Sequence, residues 1–238
     1  MTAKVWFVKN MTHEAAGLFS LFAKRPAVPS VIVDLHRGGK FPEVAKGDAV
    51  VVLGGPDSAN DAGPKILREL EALRKCLSGG IPCLGVCLGL QLLVKAAGGI
   101  VFQNPVKEIG FRDPGGEWFE MEKTARGKND PLLEGIPDPC KVFQLHGETV
   151  GLTPSMICLA HGRFCENQIV RVQERTYGIQ GHVELSERMF EDWLAKDGDL
   201  SRMNTGELRR DFSAVRLELE RSSEVLFKNF LRISGLLK

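Results

Sequence analysis

Along the first hundred residues, short apolar runs alternate with segments whose apolar positions recur at helical spacing. Short apolar runs predict four strands, at Lys4–Val8, Ser30–Leu35, Asp48–Leu53 and Ile81–Val86. The third run is almost continuous Val and Leu, which is typical of a strand covered on both faces of a parallel sheet.

Helical periodicity separates these strands. Helices are expected near His13–Lys24 and over Leu88–Ala97, and between them apolar residues recur at helical spacing from Ile66 to Leu77 until Gly79 and Gly80 end the pattern. Strand–helix alternation of this kind predicts an α/β fold, with a doubly wound, mostly parallel sheet flanked by helices.

The pattern weakens from about Phe102 to Pro139, where Gly, Pro and charged residues are frequent and one strand is expected near Trp118–Lys123. Shorter strands are expected at Lys141–Gln144, Met156–Ala160, Gln168–Val172 and Thr176–Gln180. A helix is expected over Ser186–Ala195, and the apolar face of residues 208–233 predicts a second one. We therefore expect one domain over residues 1–200, with a helical extension over 201–238 packed on it.

Composition narrows the function classes. The chain has 238 residues, of which 43% are hydrophobic, enough to fill a core. Its 31 basic and 30 acidic residues argue against a nucleic-acid surface, which normally shows a basic excess. Neither a long apolar run nor a signal-peptide pattern is evident, so the expectation is a soluble, cytoplasmic protein with no membrane contact.

The chain contains six cysteines, at positions 76, 83, 87, 140, 158 and 165. Reduced thiols are expected in a chain of this size without a secretion signal. The cysteines form no CxxC pair, and no histidine completes a familiar zinc spacing, so neither a metal nor another cofactor is expected. Most of the six are interpreted as small buried hydrophobes.

Cys87 is the exception, because Gly85-Val86-Cys87-Leu88-Gly89 has the G-x-C-x-G pattern of a nucleophile elbow. A tight turn from strand to helix lifts the central side chain above the sheet, and flanking glycines relieve the crowding. The same turn sets the thiol at a helix N-terminus, where partial positive charge favours the thiolate. A buried core cysteine in a glycine-rich turn is the alternative.

Two further features fit a cysteine nucleophile. The turn Gly54-Gly55-Pro56 follows a predicted strand and can present a backbone N–H to an oxyanion beside the Leu88 amide, although taken by itself the pattern favours an ordinary turn. A base and an orienting acid could come from His146 with Glu148 or from His182 with Glu184, since each pair follows a strand-like run. Spacing alone does not choose between the pairs.

Four segments together resemble the class I (triad) glutamine amidotransferases, from about Val31 to Ala195 and in that family's order. They are Leu53–Pro56, Pro82–Leu93, Phe143–Glu148 and Gly178–Glu184. The third resembles the GMP-synthase-like branch. The resemblance implies a flavodoxin-like amidotransferase fold in which glutamine is hydrolysed through a cysteine thioester.

The resemblance also implies roles for individual residues. Cys87 would be the nucleophile, His182 the base and acid, and Glu184 the group that orients the histidine. The oxyanion hole would be formed by the amides of Gly55 and Leu88, and the bound glutamine would face Gln91, Leu145, His146 and Gly147. The last motif departs from the family, because Gly181 replaces the usual aromatic residue and Val183 the usual proline, which leaves the orientation of Glu184 open.

Three functions follow as expectations. The first is a glutaminase that passes ammonia to a separate synthase subunit, since the chain has no recognisable synthase domain of its own. The second is a stand-alone hydrolase of γ-glutamyl peptides that uses the same triad. The third is an inactive scaffold that only binds partners. The C-terminal helix could pack on the domain or form a homodimer or partner surface.

Overall fold

A computed structural model describes residues 2–25 and 27–238. Its strands are β1 Val5–Lys9, β2 Ser30–Asp34, β3 Ala49–Val52, β4 Cys83–Val86, β5 Ile100–Gly110, β6 Glu120–Lys123, β7 Cys140–Lys141, β8 Gln144–Gly151, β9 Ile157–His161, β10 Ile169–Gln173 and β11 Thr176–Ile179. Its α-helices are α1 Gly17–Lys24, α2 Pro64–Ser78, α3 Leu88–Ala96, α4 Glu187–Lys196 and α5 Thr205–Ile233.

One nine-stranded sheet organises the chain, in the order β2-β1-β3-β4-β11-β10-β9-β6-β7. The pairs from β2 to β11 are parallel, and the pairs from β11 to β7 are antiparallel. Strand β3 is buried at every position, as its continuous apolar run predicts. The α/β fold with a doubly wound, mostly parallel sheet is confirmed.

Helices cover both faces of the sheet. On one face α1 and α5 pack together, with the rings of Phe19 and Phe227 stacked 4.7 Å apart over Phe7 of β1. On the other face α2 and α3 bury Leu70 and Leu92 against the opposite side of the parallel strands. This two-sided burial explains why the central strands are apolar throughout rather than alternating.

The C-terminal helix α5 lies against the rest of the chain along its apolar face. Leu208, Phe212 and Val215 pack with α4, and Leu226 and Phe230 pack under the sheet beside α1. The apolar face identified in the sequence is therefore buried in the chain's own core. The division into segments 1–200 and 201–238 stays a prediction.

Residues 102–139 contain β6 close to the strand expected near Trp118–Lys123, and they also contain most of a strand that was not expected. Strand β5 runs through Ile100–Gly110 and forms a separate antiparallel ribbon with β8. A register shift between Gln103 and Glu108, together with mixed exposure along the strand, hides the two-residue period by which strands are recognised.

Two other boundaries also differ from the sequence analysis. Helix α1 begins at Gly17, so residues 10–16 form a loop at the carboxyl end of β1. The strand expected over Lys141–Gln144 is split between β7 and β8, which places His146 and Glu148 inside a strand rather than after one. Among the described residues no helix is both long and apolar enough to cross a bilayer.

Candidate active site

Cys87 lies in the turn between β4 and α3, with backbone angles φ 53° and ψ −110°. A positive φ is strained for a residue that carries a Cβ, and it turns the side chain up from the sheet. The turn is possible because α3 begins close against β3, where a Cβ on Gly89 would overlap the carbonyl oxygen of Val52. The strand-to-helix elbow expected from the G-x-C-x-G pattern is therefore present.

His182 follows β11, the parallel neighbour of β4, so its ring reaches the same edge of the sheet as Cys87. The two side chains converge beside Gly54, where a Cβ would lie 3.1 Å from Cε1 of His182 and 3.7 Å from Cβ of Cys87. The Cys87 thiol is directed to the carbonyl of Leu145 at 3.9 Å, and Nδ1 of the imidazole lies 2.9 Å from Oε1 of Glu184. Burial opposes the charged ring, but the Glu184 carboxylate and the Cys87 thiol together raise the pKa of His182 well above 6.5. The edge of Trp193 packs on the ring, with centroids 4.7 Å apart.

Glu184 is held without the proline that usually precedes it in the family. Its backbone oxygen accepts a hydrogen bond of 2.8 Å from the N–H of Leu18, at the start of α1. Gly17 has φ +44°, and a Cβ there would overlap the same oxygen. Helix α1 thus fixes the backbone that Val183 alone would leave looser, and the carboxylate faces His182.

Gly181 fits tightly against the segment before β8. A Cβ at this position would lie 3.0 Å from Oε1 of Gln144 and would overlap Cγ2 of the fully buried Val142. The N–H of His182 donates to the carbonyl of Phe143 at 2.8 Å. Val142 therefore fills the space that a side chain at position 181 would enter, which explains why an aromatic residue is absent there.

A cavity of about 420 Å³ opens at this edge of the sheet. All the site residues expected from the sequence line it except Glu184, which lies behind His182: Gly55, Cys87, Leu88, Gln91, Leu145, His146, Gly147 and His182. The cavity volume falls in the range of small-molecule sites. Tertiary structure thus brings together residues from four segments far apart in sequence.

The backbone around the cavity offers free donors. Leu88 is the first residue of α3, where an N–H has no partner within the helix. In the described part of the chain the N–H of Gly55 makes no backbone hydrogen bond, and Gly55 packs within contact of Leu88. These two amides suit a developing oxyanion beside Cys87.

The other histidine pair is arranged differently. Both ring nitrogens of His146 are engaged, Nε2 with Oε2 of Glu108 at 2.7 Å and Nδ1 with the carbonyl of Glu148 at 3.0 Å. The Glu148 carbonyl also accepts from Nε2 of Gln91, so this histidine braces the β5–β8 ribbon behind the cavity. Its imidazole has no free nitrogen to exchange a proton with Cys87.

Glu108, His146 and Cys165 are the one group of three metal-ligating side chains within the described residues. Their donor atoms are already used, because Glu108 accepts from His146 and Gln168 while Cys165 contacts Thr149. Burial raises the pKa of the Cys165 thiol to about 12, which disfavours the thiolate that a metal needs. The cluster therefore fits a hydrogen-bonded network better than a metal site.

Several cavity residues were not found by sequence reasoning. Glu14, in the loop after β1, lies close to the ring of His182 across Gly54. Burial, opposed by His182 and aided by Glu184, raises the pKa of Glu14 to about 7. Lys107 and Asp199 pair at 2.6 Å across the cavity mouth. These positions carry no motif, and only the folding of distant segments identifies them.

The chain is similar to known proteins over most of its length. The family model described as glutamine amidotransferase class-I matches residues 28–198. A glutamine amidotransferase-like protein of Salmonella typhimurium, YfeJ, is 29% identical over 77% of this chain and 76% of its own length.

Two other relatives have more specific names. A glutamine-hydrolyzing GMP synthase subunit from Methanoregula boonei is 32% identical over 64% of this chain and 77% of its own. The gamma-glutamyl-L-1-hydroxyisopropylamide hydrolase of a Pseudomonas species is 28% identical over 68% of this chain and 52% of its own.

Solved structures match nearly the whole chain. A glutamine amidotransferase from Thermotoga maritima superposes with a TM-score of 0.85 at 24% identity, covering 98% of this chain and 99% of that one. One from Methylobacillus flagellatus gives 0.84 at 23%, covering 98% and 96%. At these identities the likeness extends to the fold, including the C-terminal helix.

Proposed function

The chain belongs to the class I glutamine amidotransferase family, and from that premise we propose that it hydrolyses the side-chain amide of L-glutamine through a Cys87 thioester. The observation that carries the proposal is the convergence of the Cys87 and His182 side chains at the cavity, with the His182 imidazole bonded to the Glu184 carboxylate at 2.9 Å. It joins a nucleophile, a base and an orienting acid at one cavity.

The first half-reaction releases ammonia. The thiolate of Cys87 attacks the amide carbon, and the amides of Gly55 and Leu88 hold the oxyanion that forms. When the tetrahedral intermediate collapses, the C–N bond breaks and His182 gives its proton to the departing nitrogen. The glutamyl group remains on the sulfur as a thioester.

The second half-reaction restores the enzyme. His182, now neutral, takes a proton from water while that water attacks the thioester carbon. Collapse breaks the C–S bond, frees glutamate and leaves the thiolate beside imidazolium. Glu184 keeps the ring in one orientation through both steps because it accepts from Nδ1 and leaves Nε2 to move protons.

The charge on the cavity wall supports a substrate with an ammonium group. Five acidic residues line the cavity, Glu14, Asp57, Glu148, Asp197 and Asp199. Asp57 is paired with Lys65 and Asp199 with Lys107, which leaves Glu14, Glu148 and Asp197 without a lysine or arginine partner among the described residues. A glutamyl substrate brings an α-ammonium that such a wall attracts. Gln91, Leu145, His146 and Gly147 also line the cavity, and we propose that the rest of the glutamyl group lies against them.

A stand-alone γ-glutamyl hydrolase is the second candidate. It is favoured by the Pseudomonas relative, whose name describes hydrolysis of a γ-glutamyl amide. The relative named as a GMP synthase subunit favours instead a separate synthase that receives the ammonia. We propose a cytoplasmic glutaminase with a separate synthase partner as the first candidate. We give a homodimer through α5 less weight, because the apolar face of α5 is already buried in the chain's own core.

The test is release of glutamate and ammonia from L-glutamine, compared with γ-glutamyl dipeptides and γ-glutamyl alkylamides. We expect wild-type turnover and a loss of at least roughly a thousandfold in Cys87→Ala. Cys158→Ala is the matched control, since this half-buried thiol lies outside the cavity. Turnover that survives Cys87→Ala contradicts the mechanism, and turnover of alkylamides but not of glutamine selects the hydrolase.

If neither substrate class is turned over, iodoacetamide separates the remaining alternatives. A thiolate paired with imidazolium alkylates faster than an ordinary exposed thiol at neutral pH. A Cys87 that reacts no faster than an exposed thiol would favour the inactive scaffold.

A further inference from the structure

A buried polar pair lies directly beneath the glycine turn that follows β3. Asn10, at the end of β1, and Glu69, on α2, are each no more than 1% exposed. The two hydrogens of Asn10 Nδ2 are directed to the carbonyl of Leu53 at 3.2 Å and to Oε1 of Glu69 at 3.1 Å. Asn10 therefore connects the Glu69 carboxyl group on α2 to Leu53, the residue just before the turn Gly54-Gly55-Pro56, which we call the oxyanion turn.

The same turn is held at two more points. A Cβ on Gly55 would lie 2.7 Å from Cβ of Asn10, so the turn rests on this side chain. Lys65 donates to the backbone carbonyl of Asn10 at 2.7 Å and to Asp57 at 2.6 Å. Asn10 and Lys65 thus hold the turn where it leaves the sheet and where it enters the cavity wall.

Two acceptors in this pair have no partner among the described residues, Oδ1 of Asn10 and Oε2 of Glu69. Unsatisfied buried oxygens are costly. Rotating the Asn10 amide would not help, because it would direct Oδ1 at the Leu53 carbonyl and at the carboxyl group. One proton on Oε2 of Glu69, donated to Oδ1 of Asn10, would satisfy both atoms and complete a cyclic amide–acid pair.

We propose that Glu69 is a positioning residue for the oxyanion turn and acts as a protonated carboxylic acid paired with Asn10. The predicted effect of Glu69 on turnover rests on the proposed function, whereas the protonated pair itself does not. Glu69 does not touch the substrate cavity, and it acts through Asn10 on the backbone of Leu53 and Gly55.

The surrounding charges are consistent with a neutral acid. Burial raises the pKa of Glu69 to about 7, opposed by the hydrogen bond from Asn10 and the charge of Lys65 and aided by Asp57. Lys65 is largely neutralised by its ion pair with Asp57. The other cations near the carboxyl are Lys40 and Arg68, which line an outer cavity beside α2 together with Lys65 and Glu69 itself. Neither Lys40 nor Arg68 forms an ion pair with Glu69 among the described residues.

Glu69→Gln is the decisive variant, because glutamine offers the same donor and acceptor as the protonated acid. We expect its kcat for L-glutamine at pH 7 to stay within about threefold of wild type, while Glu69→Ala loses roughly tenfold in kcat with little change in KM. Wild-type activity should decline above pH 7 as the acid ionises, and Glu69→Gln should lack that decline. Glu71→Gln, on the exposed face of the same helix, is the control.

Thermal unfolding tests the pair without reference to turnover. The folded-state pKa lies above the ordinary 4.5, so the stability from the protonated form is lost as the pH rises toward and through 7. From pH 5.5 to 8 the Tm of wild type should fall by roughly 5 °C relative to Glu69→Gln. Identical pH dependence of Tm in both proteins would overturn the proposal.

The two sets of measurements fail in different ways. If wild type hydrolyses no glutamyl substrate, the proposed function fails and the Tm comparison still judges the pair. If wild type is active but Glu69→Gln loses as much kcat as Glu69→Ala, the positioning role is refuted.

Discussion

The tight packing at Gly181 leads to a prediction that separates a steric explanation from a chemical one. A Cβ at this position would overlap Cγ2 of Val142. It could not move aside freely, because the same Cβ would lie 3.0 Å from Oε1 of Gln144 and 3.2 Å from the carbonyl oxygen of Phe143. Gly181→Ala should therefore push the chain away from β8. His182 should move with it, because its N–H is bonded to the Phe143 carbonyl.

The magnitudes follow from the packing. Overfilling a closed site costs about 1–3 kcal/mol, while replacing glycine by alanine recovers some unfolded-state entropy, so Gly181→Ala should cost about 2 kcal/mol. Val142→Ala removes two methyl groups at a position 1% exposed and should cost about 2 kcal/mol. In the double variant the new methyl occupies the space left by Val142. Its cost should therefore stay near 2 kcal/mol, giving a coupling of about 2 kcal/mol.

Urea unfolding of the four proteins measures this coupling, provided that the m-value is unchanged. Gly198→Ala is the control, because nothing lies within 4 Å of a Cβ there. Glutaminase activity should fall in Gly181→Ala and recover in part in the double variant. If the two free energies simply add, within about 0.5 kcal/mol, Val142 is not what keeps position 181 small.

Three further predictions concern the histidines and the support of Glu184. His182→Ala should abolish thioester formation, measured by quenched single-turnover assays. His146→Ala should keep thioester formation but lose about 3 kcal/mol of stability in urea titrations, because the buried Glu108 then keeps only its bond from Gln168. The reverse pattern would mean that the histidines are misassigned. Gly17→Ala, which needs φ +44° and overlaps the Glu184 carbonyl, should cost about 2–4 kcal/mol and lower kcat, and a neutral effect in both assays would argue against α1 as the support of Glu184. Glu184→Gln should lower the pKa of His182, measured by NMR of the imidazole. The contribution of the His182–Glu184 pair to folding stability is complete below pH 6.5 and is lost as the pH rises through the raised pKa of His182. An unchanged His182 titration in the variant would disprove the contact.

The two candidate activities make different demands on the same cavity. Glutamine releases ammonia, and a partner that consumes it benefits from a path shielded from bulk water. A γ-glutamyl amide releases a larger amine and needs an open mouth. The pair of Lys107 with Asp199 crosses that mouth, so replacing Asp199 by Asn offers a direct comparison of the two substrate classes.

Much of this protein is determined by local sequence. Continuous apolar strands and helical stripes predict the doubly wound sheet, because burial on both faces leaves its own pattern in the chain. The elbow at Cys87 is equally local, since flanking glycines and a strand-to-helix switch lie within five residues. The resemblance of four ordered segments adds the family, which the matching family model confirms.

Only the tertiary structure shows how the site is held together. Spacing could not choose between His146 and His182, and only the resemblance favoured His182. The structure adds the partners that each ring meets, Glu108 from the β5 ribbon in one case and Glu184 in the other. The support of Glu184 by α1, the space taken by Val142 and the buried pair of Asn10 with Glu69 join residues tens of positions apart. Such contacts depend on how packed elements meet, and no period or motif in the chain records them.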